Sequence, residues 1–229
     1  MATDHPLYEA FWDAQRLGEL RTSPYSLAIE FAWGVPESDW AELRSDFDPN
    51  EFDGQRREQV LAVGEPVLEL ARGWVDDGVD IELRPTDVGR GFSGEGMVLI
   101  IAALWATVTA LSNIEGFLAF CSRVRELYNS LFTAETSTGN KLGDPMISLG
   151  TAIALCIADL ADRIGGVSSV QLLSAIVHPG PGAEPAHSGH DFFSVVFVRG
   201  DTSWAYLMDS DGRVLSFVEG EAPITWRLY

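Results

Sequence analysis

Apolar and polar positions alternate with period two over residues 26–33. Leu27, Ile29, Phe31 and Trp33 fall on one side of an extended chain, and Ser26, Ala28, Glu30 and Ala32 on the other. The pattern predicts a half-buried strand. Before it, Leu7, Phe11, Ala14 and Leu17 recur at helical spacing over residues 7–20, with Asp4 and Pro6 placed to start an amphipathic helix. Asp48, Pro49 and Glu51 have the form of a capping box with proline at the first helical position. They open a helix reaching about Val75, which Gly64 and Pro66 are expected to kink or split. Val79, Ile81 and Leu83 alternate with Asp80, Glu82 and Arg84 as a second strand, followed by a glycine-rich turn over residues 89–96.

Residues 96–114 then carry no charge, and after Glu115 the chain stays apolar through Phe120. Ala102, Ala106, Thr109, Asn113 and Gly116 would form one narrow small-residue face if this stretch were helical, so it reads as a central buried helix. Asp144 and Pro145 start a further apolar helix through Ile164, stopped by Gly165 and Gly166. The last third changes character. After an apolar run at 170–177 and a loop rich in proline, glycine and histidine, four short runs at 192–198, 203–208, 213–218 and 224–229 predict an antiparallel meander, with Asp209-Ser210-Asp211-Gly212 as its clearest hairpin turn. Arg199-Gly200-Asp201 reads as another turn. The fold class expected is α+β: a mixed N-terminal region (1–80), a strand, glycine-rich loop and apolar helices (81–166), and a C-terminal β-meander (167–229).

Charge sharpens this picture. The 229 residues hold 34 acidic and 15 basic side chains, net −19. Residues 1–80 contribute 18 acidic against 6 basic, net −12. A field of that sign repels phosphate backbones, so direct nucleic-acid binding is not expected, and it favours encounter with a basic protein. Cys121 and Cys156 both lie in apolar stretches, as buried thiols in a reducing compartment do. The first residues have neither the positive start nor the apolar run of a signal peptide, which points to a cytoplasmic protein.

Candidate chemistry concentrates in one loop. His178, His187 and His190, with Asp191 adjacent, offer the imidazole and carboxylate ligands that a divalent transition metal takes. The same stretch, rich in proline and glycine, also reads as a plain connector between strands. Gly89, Gly91 and Gly94 match G-x-G-x-x-G between a predicted strand and a predicted helix, but no acidic strand end follows about twenty residues on, as dinucleotide binding requires. Ser93 misses the nucleophile elbow because Glu95 stands where a glycine belongs. Asp46, Asp48 and Asn50 imitate a calcium loop, yet Glu51 and Arg57 occupy the glycine and bidentate-glutamate positions.

Three functions remain open on these grounds. The first is a protein-interaction or regulatory module without a catalytic site, presenting Glu37, Asp39, Glu42, Asp46 and Asp48 to a basic partner with Trp33 and Trp40 as aromatic anchors. The second is a metal-dependent enzyme or metal-binding domain using the histidine loop. The third is a membrane-associated protein, because nineteen uncharged residues at 96–114 are long enough to span a bilayer as a helix.

Overall fold

The computed structural model describes residues 14–34, 49–74, 79–86, 94–102, 114–133, 145–180 and 191–221. In chain order the elements are α1 (Ala14–Thr22), β1 (Leu27–Gly34), α2 (Pro49–Trp74), β2 (Asp80–Thr86), β3 (Gly94–Ala102), α3 (Ile114–Thr133), β4 (Met146–Ile147), α4 (Leu149–Ile164), β5 (Gln171–His178), β6 (Phe192–Arg199), β7 (Thr202–Asp209) and β8 (Val214–Glu221). They form two antiparallel four-stranded sheets, ordered β2-β3-β1-β4 and β5-β6-β7-β8. The α+β class expected from the sequence is therefore observed.

The segment at 94–102 departs from expectation. It is strand β3, not the start of a helix, and it lies between β1 and β2 with Leu99 opposite both Ile29 and Leu83. An apolar run without helical periodicity suits an interior strand as well as a buried helix. Here two neighbouring strands satisfy its backbone groups from both sides. Residues 96–102 of the helix proposed over 96–114 are thus strand, which removes the continuous nineteen-residue helical span, and Ala106, Thr109 and Asn113 of the small-residue face lie outside the described residues. No helix among the described residues is long and apolar enough to cross a membrane. The dinucleotide fingerprint loses its context too, because Gly94 opens a strand antiparallel to β2.

Residues 27–31 of β1 are buried on both faces, whereas the alternation predicted one solvated face. Leu27, Ile29 and Phe31 join the main core, while Ala28 packs with Leu17 and Leu20 of α1. Glu30 shares that second face and is 5% exposed. Arg21 of α1 covers it, its Nε donating to Glu30 Oε2 at 3.0 Å. Helix α2 runs unbroken with Pro66 inside it. Asp48, its proposed cap, lies outside the described residues.

Helix α4 begins at Leu149, later than the Asp144-Pro145 start suggested by sequence, because Met146 and Ile147 pair with Glu30 and Ile29 of β1. Ser148 is the N-cap, its Oγ accepting from the Thr151 amide at 3.2 Å. The same two side chains tie the helix to β1: the Ala28 amide donates to Ser148 Oγ (3.0 Å) and Thr151 Oγ1 (2.9 Å). At the far end Gly165 adopts φ 71°, the left-handed conformation that ends a helix with little strain when the residue is glycine.

The main core is one contiguous cluster. Val63, Val67 and Ala71 of α2, Val124 and Leu127 of α3, and Ala152, Ile153 and Cys156 of α4 meet the inward residues of both sheets. The two sheets are also joined directly: the Ile147 amide of β4 donates to the Ser210 carbonyl in the β7–β8 turn at 2.9 Å.

Candidate functional site

The central strands of the C-terminal sheet are buried on both faces, Ser194, Val196, Ser203 and Ala205 being enclosed on one of them, and β5 and β8 are its edge strands. Strands β6 and β7 alternate so that Phe193, Val195, Phe197, Trp204, Tyr206 and Met208 all enter the common core. Helix α4 is bolted to this face. The Tyr206 hydroxyl donates to Asp159 Oδ2 at 2.9 Å, and Arg163 Nε donates to the same oxygen. The Arg163 guanidinium also lies 4.5 Å from the Phe217 ring centroid.

Burial first, and the Asp159 carboxylate second, push the Tyr206 hydroxyl well above the ordinary phenol range, so it stays a protonated donor. The buried Cys156 thiol is raised for the same two reasons, and Cys121 by burial alone. Protonated, enclosed thiols are poor nucleophiles. The bonds made by Asp159, Arg163 and Tyr206 therefore serve to lock helix to sheet.

The edges present a different surface. On β5, Leu172, Leu173 and Ile176 are 45%, 51% and 50% exposed. On β8, Val214, Leu215 and Val218 are 39%, 51% and 39% exposed, and Glu219 and Glu221 beside them are exposed as well. Each edge carries a bulge. The register skips Leu173 between Leu172 and Ser174, and skips Leu215 between Val214 and Ser216. The extra residue in each case is a leucine left half in solvent. Tight turns join β6 to β7, where Gly200 has φ 59°, and β7 to β8, where Gly212 has φ 79° and Asp209 Oδ1 accepts from the Arg213 amide at 2.8 Å. The Tyr128 hydroxyl of α3 donates to the Asp211 carbonyl in the second turn.

Of the proposed metal ligands, two are described. His178 ends β5 with Nε2 2.9 Å from Ser194 Oγ, and Asp191 Oδ1 accepts from the Gly180 amide at 3.4 Å. Phe192 stands opposite His178, so Asp191 and His178 are close neighbours at one end of the β5–β6 ladder. His187 and His190 lie outside the described residues. Among those described, no three His, Cys, Asp or Glu side chains are grouped to hold a metal ion.

Of the proposed interaction residues, Trp33 lies in β1 opposite Glu95 of β3. Glu37, Asp39, Trp40, Glu42, Asp46 and Asp48 lie outside the described residues. A depression between α1, β1 and β4, lined by residues including Leu17, Arg21 and Glu30, has a volume of about 10 Å³, room for one water molecule. That is below the size of ordinary small-molecule sites.

The edge residues Leu172, Leu173, Ile176, Val214, Leu215 and Val218 are missing from the sites inferred from sequence. Their local signals are the Leu172-Leu173 and Val214-Leu215 pairs, which break strict alternation in β5 and β8. No family model matches the chain, and neither the curated proteins nor the solved structures contain a detectable match to it.

Proposed function

We propose that this chain is a protein-interaction or regulatory module whose partner is a basic protein, docked in extended conformation along β8. The observation that carries this reading is the composition of that edge: three exposed apolar side chains beside exposed Glu219 and Glu221. A sheet edge offers backbone donors and acceptors to an added strand, and the side chains alongside it select the sequence. Lysine or arginine in the partner pairs with the two glutamates, while its apolar residues cover Leu215 and Val218.

The acidic residues of the N-terminal third support encounter. The net −12 of residues 1–80, including Glu37, Asp39, Glu42, Asp46 and Asp48, attracts a basic chain over roughly a Debye length, about 10 Å at 0.1 M salt. Trp33 and Trp40 belong to this proposal as a second anchor point.

Two synthetic peptides of alternating valine with lysine, or valine with glutamate, test the reading by fluorescence anisotropy against the whole chain. The lysine peptide is expected to bind, more weakly as salt rises, and to lose about tenfold in affinity to the Glu219→Lys, Glu221→Lys variant. Equal binding of both peptides, or binding indifferent to the charge reversal, would exclude a basic partner at β8.

A further inference from the structure

The two edges of the C-terminal sheet differ in charge, and the difference assigns them different occupants. Strand β5, Gln-Leu-Leu-Ser-Ala-Ile-Val-His, contains no Asp, Glu, Lys or Arg. It sits within a run from residue 164 to 183 that has none either, in a chain where such residues make up 21%. The first sheet guards its edges in the usual ways. Edge strand β2 carries Asp80, Glu82, Arg84 and Pro85, and edge strand β4 is two residues long. Strand β5 has eight residues, three exposed large apolar side chains and no charge. Among the described residues its single protective feature is the bulge at Leu173, which still leaves Ser174 to His178 in regular register.

We propose that β5 pairs antiparallel with β5 of a second copy of this chain, joining the two C-terminal sheets into one across a two-fold axis. Charge selects this occupant. Two molecules of net −19 repel one another, so they meet most readily along a neutral strip, and β5 supplies one to each side. A basic partner finds no carboxylate on β5 to pair with, whereas β8 offers two. Topology selects the geometry. Pairing of β5 with β8 of the next molecule would join two different patches into a ring or an open filament, while β5 with β5 uses the same patch twice and closes as a dimer. Ile176 and the bulged Leu173, each about half exposed in the single chain, are the side chains that the partner strand covers.

Light scattering coupled to gel filtration on the full chain tests the pairing. The expected mass is twice that of the 25.0 kDa chain, falling to a single chain in Ile176→Lys and, separately, in Leu173→Lys. Circular dichroism on each variant establishes that it is folded, and Val218→Lys on β8 is the matched control that should remain dimeric. A single-chain mass for the wild type at every concentration would overturn the proposal. So would a dimer that survives both β5 substitutions but dissociates in Val218→Lys, or an open series of larger assemblies. Peptide binding at β8 is read independently, so either proposal can fail alone.

Discussion

The carbonyl group of Ser26 fills the space that a β-carbon at Gly150 would need. A β-carbon built there would lie 2.9 Å from the Ser26 carbonyl carbon and 3.2 Å from the Pro24 oxygen. Both obstacles are backbone, so no side-chain rotation relieves them. This close approach brings the first turn of α4 against the start of β1, where Ser148 and Thr151 take up the Ala28 amide.

Gly150→Ala is accordingly expected to destabilise the protein by about 1–3 kcal/mol, as overpacking does. Gly18→Ala in α1 is the contrasting case: nothing lies within 4 Å of its added carbon. Alanine there gains roughly 0.5–1 kcal/mol from reduced backbone freedom. Thermal melts should move in opposite directions. A neutral Gly150→Ala would mean that α4 and β1 can separate without loss.

The Arg21–Glu30 pair makes a second prediction. Glu30 is nearly sealed between α1 and β1, and its carboxylate depends on the Arg21 guanidinium. Arg21→Ala leaves that charge enclosed and should cost about 3–5 kcal/mol, whereas Arg21→Met with Glu30→Leu removes both charges and should recover most of it. Urea midpoints at constant slope give the comparison. A double variant no more stable than Arg21→Ala alone would show that the cost comes from lost packing rather than from the buried charge.

The thiols set an alkaline limit. Burial raises both Cys121 and Cys156 above the ordinary range, so the folded protein keeps two protons that the unfolded chain begins to release near about pH 8.5. The native state then holds more protons than the unfolded state, and stability falls as pH rises. Tyr206, also raised, adds to the slope above about pH 10. The melting temperature should decline from about pH 8.5 upward, and Cys121→Ala with Cys156→Ala should delay the decline to about pH 10. Neither thiol should react with a disulfide reagent until the chain is unfolded. Rapid labelling of either one in the native protein would contradict their burial.

Features governed by neighbouring residues were legible from the sequence. The β7–β8 turn at 209–212 and the α4 stop at Gly165 follow from which residues tolerate positive φ, a property of the chain itself. Strand β1, helix α2 and the C-terminal meander follow from periodicity and from residue types suited to each element. Tertiary structure decided what periodicity leaves open. Residues 96–102 are uncharged and apolar in either conformation, and β1 and β2 on both sides made them a strand. Glu30 sits at a polar position of an alternating pattern, and only the packing of α1 across that face turned it inward and supplied Arg21. The candidate site depended on the same kind of information. The residues of β5 and β8 could be read as strands, but whether a strand lies inside a sheet or at its edge is a matter of spatial order. That order sets whether Ile176 and Leu215 are covered by a neighbour or left exposed, because hydrogen-bonding partners in a sheet come from distant parts of the chain.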